Sequence, residues 1–151
     1  MIEPDCKRAE ELLRSVLLSN RLSAVETTAP NTWDFQFSGA HLNVSVPWRI
    51  LDGESIRMGS CDHDQKFGLP QPIDGVAVTM ELLGQRRVEH LTLERKSADL
   101  KLVFEGSFFL DIFNQSAGWE GWNLTASDGT QVIALGGGDI AFWSKLTSPS
   151  S

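Results

Sequence analysis

The chain has 151 residues, of which 41% are hydrophobic, and it carries 20 acidic against 13 basic side chains. A chain of this length can bury a sizeable core as one domain, and its hydrophobic content excludes intrinsic disorder. The net charge of −7 argues against nucleic-acid binding, because neutralising phosphates requires clustered Lys and Arg. We therefore expect a single domain over residues 1–151 that binds no nucleic acid.

The N-terminal residues lack the features of a signal peptide, because acidic side chains interrupt them and Arg14 breaks the apolar run at 12–18. No segment approaches the roughly 20 apolar residues that a membrane helix needs. Cys6 and Cys61 are expected to remain reduced and separate, since a domain of this length needs no disulfide. These features predict a cytoplasmic protein with no membrane partner.

Two segments of the chain resemble each other. Residues 17–21 (Leu-Leu-Ser-Asn-Arg) recur as residues 82–86 (Leu-Leu-Gly-Gln-Arg), and each follows apolar residues at helical spacing. The candidate boundary residues are Asp5 and Asp74 as N-caps, and Asn20 and Gly84 as left-handed helix ends. We infer an internal duplication of about residues 5–50 and 74–126, with a connector at 51–73 and a polar tail at 147–151.

Each copy also predicts an antiparallel hairpin with one wholly apolar face. The expected partners in the first hairpin are Phe37 with Leu42, Phe35 with Val44, and Trp33 with Val46. Those in the second hairpin are Phe104 with Phe108, Leu102 with Leu110, and Leu100 with Ile112. A shift by one residue would turn both apolar faces outward, so the pattern constrains the register strongly.

The outer face of the second hairpin is not polar like that of the first. It carries Val103, Phe109 and Phe113 beside Lys101 and Asp111. We favour the interpretation that later elements cover this face, because exposed patches of large apolar residues are uncommon. The alternative is a contact surface, which would make the chain a homodimer.

The rest of the chain also has strand patterns, beginning with residues 89–94. Asp128-Gly129 predicts a hairpin in which Trp122, Leu124 and Ala126 face Leu135, Ile133 and Gln131. Gly136-Gly137-Gly138 predicts a turn, since it lacks the Lys of a phosphate-binding loop. The predicted fold class is α+β, with two helix-plus-antiparallel-meander repeats forming a largely antiparallel sheet around a single core.

The densest polar cluster is Cys61-Asp62-His63-Asp64 in the connector. A thiol, an imidazole and carboxylates could bind a metal or a small molecule. We favour a solvated loop, because adjacent side chains point in different directions and no second cluster would complete a ligand shell. No serine elbow or activated Cys–His pair is evident. We therefore assign no catalytic residue, metal ligand or cofactor.

A second candidate is Trp119-Glu120-Gly121-Trp122, which places a carboxylate between two indoles. Tryptophan is enriched at interface hot spots, and the carboxylate could bind a basic group. We favour a core position for Trp122, whereas Trp119 fits a core and a contact position equally well. Trp119 and Glu120 are thus the candidate partner-binding residues.

The sequence also resembles small bacterial families known only as domains of unknown function. The resembling segments are residues 111–122, Asp128-Gly129, Gly136-Gly137-Gly138, Asp62-His63-Asp64 and Phe67-Gly68. These families have an aromatic–Glu–x–Trp element near a C-terminal Gly-Gly turn. Some similar small acidic proteins lie beside secreted toxin systems and are regarded as immunity proteins. The resemblance implies no established activity and no catalytic residues.

Together these observations predict a non-enzymatic, cytosolic protein-binding protein, for which a toxin-neutralising immunity protein is the most concrete form. Its acidic surface would meet a basic partner such as a toxin by electrostatic steering. The alternative is a small-molecule or metal-binding protein, or an enzyme, that uses Cys61-Asp62-His63-Asp64.

Overall fold

A computed structural model describes residues 3–29 and 31–144. Its helices are α1 (Glu3–Leu17) and α2 (Gly75–Leu83), with short 3-10 turns at Ser60–Asp62 and Gly136–Gly138. Its strands are β1 (Leu22–Ala29), β2 (Thr32–Phe37), β3 (Ala40–Val44), β4 (Trp48–Leu51), β5 (Ile56–Gly59), β6 (Val88–Leu93), β7 (Leu100–Phe104), β8 (Phe108–Ile112), β9 (Trp122–Ala126), β10 (Gln131–Ala134) and β11 (Ile140–Trp143). The α+β class and the antiparallel pairing are confirmed.

The strands form two sheets, where the sequence predicted one. The first has six strands in the order β1-β2-β3-β9-β10-β11, and the second has five in the order β5-β4-β8-β7-β6. Each half of the chain therefore contributes strands to both sheets. In the first half the meander leaves its sheet after β3, where Pro47 follows and has no N–H to extend a ladder.

Each helix ends beside the first strand of the other half of the chain. The N–H of Ser19, after α1, donates to the carbonyl of Val88 at 2.8 Å. In the matching place after α2, the N–H of Gln85 donates to the carbonyl of Leu22 at 2.8 Å. These reciprocal bonds tie the starts of β1 and β6 together.

The left-handed residues at these helix ends are not the expected ones. Positive φ occurs at Ser19 (66°) and Gln85 (64°), whereas Asn20 and Gly84 were predicted. Gly84 has a φ of −57°, and a Cβ there would overlap the carbonyl of Met80. The bond to the opposite half selects which residue turns the chain, so the local preference of glycine for this conformation does not decide it.

The crossings between the sheets are also reciprocal. Ser45 N–H donates to the carbonyl of Gly121, and Phe113 N–H donates to that of Pro47, each at 2.9 Å. After these bonds the first half of the chain continues into the second sheet, as β4, and the second half continues into the first sheet, as β9.

A buried tryptophan opens the strand after each crossing. Trp48 in β4 pairs with Ile112, and Trp122 in β9 pairs with Val44. The two side chains are 2% and 1% exposed. The indole N–H of Trp122 donates to the carbonyl of Ala98 at 2.8 Å, so this residue occupies the core position that was favoured for it.

The first hairpin is two residues away from the expected register. Its partners are Phe37 with Ala40, Phe35 with Leu42, and Trp33 with Val44. The strands continue to a loop of only two residues, which Gly39 closes with a φ of +70°. A shift of two keeps every side chain on its face, so the apolar face is still buried. In the second hairpin the expected register is confirmed, with Phe104 opposite Phe108, Leu102 opposite Leu110, and Leu100 opposite Ile112.

The C-terminal hairpin is one residue away from the expected register, and that prediction was wrong. Its partners are Trp122 with Ala134, Leu124 with Val132, and Thr125 with Gln131. Ala126 N–H donates to the carbonyl of Thr130 at 2.9 Å, and Gly129 adopts a φ of +95°, which leaves a three-residue loop. Because an odd shift exchanges the faces, Ile133 lies on the outer face and is partly exposed.

The inner faces of both sheets and the apolar side of α1 contribute to a contacting cluster of buried residues. Helix α1 packs against β6, β10 and β11, and α2 packs against β1 and β5. Asp74 caps α2 as predicted, since its Oδ1 accepts the N–H of Ala77 at 3.1 Å. Asp5 is not an N-cap, because α1 begins before it.

Other expectations concern the cysteines, the membrane and the tail. Cys6 is buried and Cys61 is exposed, and no disulfide joins the two, as predicted. Neither helix in the described part of the chain has the length and apolar character to cross a membrane. The polar tail predicted at 147–151 lies outside the described residues.

We expect Trp122→Phe to lower the free energy of unfolding by about 2 kcal/mol, because it leaves the buried carbonyl of Ala98 without its donor. Equilibrium urea unfolding measures this change. Trp119→Phe is the matched control, since that side chain is 81% exposed, and it should change stability by less than about 0.5 kcal/mol. Equal losses in the two variants would contradict this account.

Asp52 holds the turn between β4 and β5. Its Oδ1 accepts the N–H groups of Glu54 and Ser55 at 3.0 Å each, and its Oδ2 accepts from the Arg57 guanidinium at 2.9 Å. The hydrogen bond from Arg57, and then those from the two amides, lower the pKa of Asp52 from its ordinary value of 3.8 to about 2.

Arg57→Gln should raise the pKa of Asp52 towards 3.8, which NMR of the carboxyl carbon measures against pH. Because the folded-state pKa is lowered, Asp52 contributes stability above pH 3.8 and loses it as the pH falls through about 2. The variant should therefore lose less stability than wild type over this interval. Lys66→Gln, an exposed cation elsewhere, is the control. An unchanged Asp52 pKa in Arg57→Gln would refute the assignment.

Candidate functional site

The predicted connector at 51–73 begins as strand rather than loop, because it contains β5. Two adjoining cavities of about 520 and 300 Å³ lie beside residues 60–65 of the connector. Both are lined by Asn31, Ser60 and Cys61. The other lining residues are Thr27, Thr28, His63, Asp64 and Gln65 in the larger cavity, and Ser45, Val46, Pro47 and Gln115 in the smaller one. We call the two cavities together the connector groove.

His63 is held from two sides in the wall of the connector groove. Its Nδ1 accepts the N–H of Gly75 at 2.9 Å, and its ring meets the Trp33 ring edge-on with centroids 5.4 Å apart. Because Nδ1 acts as an acceptor, the imidazole carries its proton on Nε2. That atom lies 3.6 Å from Oδ2 of Asp64. His63 thus joins the connector to the start of α2.

The neighbouring side chains are occupied within their own turn. Oδ2 of Asp62 accepts the N–H of Gly59 at 2.8 Å, and the Cys61 thiol lies 3.8 Å from Oδ1 of Asp62. The Asp64 side chain is 77% exposed. Among residues 3–29 and 31–144, no group of three or more His, Cys, Asp or Glu is arranged to hold a metal ion. The contacts match the turn-forming role of aspartate.

Trp119 projects into solvent, with 81% of its surface exposed, from a loop that is tightly held. The Ser116 hydroxyl accepts the N–H groups of Gly118 at 3.0 Å and of Trp119 at 2.9 Å. The Ser116 carbonyl accepts the N–H of Gly137 at 2.8 Å. A Cβ at Gly136 would overlap the Gly118 backbone, so the triple-glycine turn packs directly against this loop. The loop backbone is therefore held by hydrogen bonds and close packing, although 81% of the Trp119 surface is exposed.

Glu120 is also exposed and lies next to one end of the connector groove. The Ser45 hydroxyl lies 3.5 Å from the Glu120 carbonyl and 3.3 Å from that of Gly121. Ser45 also lines the smaller cavity of the groove. The structure thus brings the two sequence candidates, the connector cluster and the Trp119–Glu120 loop, to neighbouring positions.

The outer face of the second sheet is a third candidate, and later elements do not cover it as expected. Val103, Phe109 and Phe113 are partly exposed. Over the two rings lie basic groups, with the Arg49 guanidinium 5.1 Å from the Phe113 centroid and Lys101 Nζ 5.9 Å from that of Phe109. We call this surface the basic–aromatic face.

Sequence reasoning missed Arg49, because β4 and β8 are distant in the chain. Their pairing places Arg49 directly opposite Asp111. The alternation of apolar and polar side chains in residues 48–50 could have predicted a strand there, but it does not identify the strand that pairs with it.

No family model matches the chain, and the comparisons with curated proteins and with solved structures found no match either.

We expect His63→Ala to lower the free energy of unfolding by about 1–3 kcal/mol, because the Gly75 N–H loses its acceptor. Thermal or urea unfolding measures this loss. Asp64→Asn, at an exposed neighbouring position, is the control and should be close to neutral. Unfolding should be repeated with added zinc. Unchanged stability in His63→Ala would contradict the structural role, whereas stabilisation of wild type by zinc that disappears in His63→Ala would support a metal site.

Proposed function

We propose that this chain is a non-enzymatic, cytosolic protein-binding protein that neutralises a basic partner such as a toxin. The Trp119–Glu120 loop is its principal contact in this proposal. The observation that carries it is a tryptophan that is 81% exposed on a loop held by hydrogen bonds.

An exposed tryptophan on an ordered backbone suits binding for energetic reasons. Burying an indole removes a large apolar area from water, and tryptophan is among the residues enriched at binding hot spots. A loop that is already ordered loses less conformational entropy when the partner binds. Ser116 and Gly136 supply that order here, since they hold the loop in place without covering the Trp119 ring.

The charge of the chain supports a basic partner. The net charge is −7, and Glu120 adds an exposed carboxylate directly beside Trp119. Opposite charges accelerate encounter and disfavour acidic competitors. A basic partner group could pair with Glu120 while an apolar group covers the indole.

We also propose that the two halves are copies of one ancestral segment, about residues 5–50 and 74–126, packed around a single core. The reciprocal bonds at Ser19 and Gln85, and at Ser45 and Phe113, support this origin. These contacts match Ser19 with Gln85. The alignment of residues 17–21 with residues 82–86 matches Ser19 with Gly84 instead, so the two comparisons differ by one residue at this point. The two pairs of crossing strands, β4–β8 and β3–β9, have equivalent places in the two sheets.

The test begins with capture of partners by the tagged full-length chain from its native cells and their identification by mass spectrometry. Binding of the purified partner is then measured by calorimetry. We expect a basic protein, whose affinity falls at least about 30-fold in Trp119→Ala, equivalent to about 2 kcal/mol. Glu120→Lys should slow association and reverse part of its salt dependence.

Phe67→Ala is the matched control for Trp119→Ala, because it removes another exposed aromatic ring, one that is 66% exposed and lies in the connector. It should bind as wild type does. Capture of no protein, or a captured partner whose affinity is insensitive to Trp119→Ala, would overturn the proposal.

The second candidate function is small-molecule binding in the connector groove. The two adjoining cavities favour it, since the larger, at about 520 Å³, is in the size range of ligand pockets and carries hydroxyl, thiol and imidazole groups. Native mass spectrometry of the purified chain separates the two functions. A tightly held small ligand without a protein partner would support this candidate and contradict the first.

A further inference from the structure

The basic–aromatic face contains a cavity of about 380 Å³ where β4, β6, β7 and β8 come together. Its lining includes Arg49, Lys101, Asp111 and Phe113. None of these residues belongs to the connector groove or to the Trp119–Glu120 loop. The cavity is therefore separate from the surfaces used in the proposed function.

Asp111 organises the charges of this cavity. The residue is only 7% exposed, and its Oδ2 lies 3.4 Å from Nε of Arg49. Nζ of Lys101 lies 3.8 Å from Oδ1, which is an ion-pair distance but too long for a hydrogen bond. Oδ1 is buried and has no hydrogen-bond partner among the described residues. One buried carboxylate thus holds two cations side by side.

The two cations retain most of their capacity to donate. Arg49 carries five N–H donors and Lys101 three, and the contacts to Asp111 use few of them. The Phe113 ring lies against the Arg49 guanidinium and forms an apolar wall beside it. Two further carboxylates line the cavity, those of Glu94 and Asp99. Each accepts a backbone N–H, from Lys96 at 3.2 Å and from Asn114 at 2.8 Å.

The first sheet shows that the fold does not need these charges. In the first sheet the strand pair β3–β9 occupies the place that β8–β4 has in the second. There Asn43 lies opposite Asn123, in the positions of Asp111 and Arg49. Two neutral amides therefore suffice for strand pairing there. The charged cluster and its aromatic wall are a special feature of the second sheet.

We propose that this cavity binds a small organic acid, with its carboxylate on Arg49 and Lys101 and its apolar body against Phe113. The paired donors fit a carboxylate, and the ring fits the apolar body. Because the lining holds two cations against three carboxylates, we expect only a singly charged anion that contacts both cations to bind, and a doubly charged anion to be repelled.

The test is an NMR titration of the isotope-labelled full chain with benzoate. We expect saturable amide shifts centred on Lys101, Asp111 and Phe113. Benzyl alcohol retains the ring without the charge, and acetate retains the single charge without the ring, so each should bind at least about tenfold more weakly. Arg49→Gln should weaken benzoate binding by about tenfold or more.

Arg57→Gln is the matched control, since it removes a cation from the neighbouring strand β5 outside the cavity. It should leave benzoate affinity unchanged. If Arg49→Gln loses the dispersed spectrum of the folded chain, Lys101→Gln decides, because that side chain is 53% exposed and can be changed without disturbing the core. Absence of saturable shifts would overturn the proposal. So would equal binding of benzyl alcohol or acetate, or equal weakening by Arg57→Gln.

Discussion

Each half of the chain supplies strands that extend the other half's sheet, and the rest of the structure depends on this exchange. Strand β3 pairs with β9, and β8 pairs with β4. A meander of three strands standing alone would leave an open edge of unpaired N–H and C=O groups. The exchange pairs one edge of each meander, and the bonds at Leu22 and Val88 join the two halves where their sheets begin.

The two halves differ in the length of their crossings between the sheets. The first crossing spans only residues 45–47, whereas the second spans 113–121. The longer crossing has room for a loop, and this loop carries Trp119 and Glu120. The shorter one contributes Ser45 to the wall of the connector groove. Recognition surfaces are often found on loops held by a rigid scaffold, and here the candidates lie where the halves diverge.

Sequence reasoning predicted the register fully in one of the three hairpins. The register of β7 with β8 was predicted completely, because three residues of turn and strict alternation leave one solution. The first hairpin was two residues off without changing its faces, whereas the C-terminal one was a single residue off and exchanged them. The difference depends on loop geometry at Gly39 and Gly129, which composition alone does not settle.

The sequence by itself determined that two helices and a set of amphipathic strands would form, and which side chains of most strands would be apolar, because these properties follow from residue spacing along the chain. Only the tertiary structure decided which sheet each strand joins, and hence that Arg49 lies opposite Asp111. It also decided that Trp119 is exposed, whereas Trp122, three residues later, is buried as expected. The physical reason is that burial and charge pairing depend on contacts between distant segments, and no local period encodes those contacts.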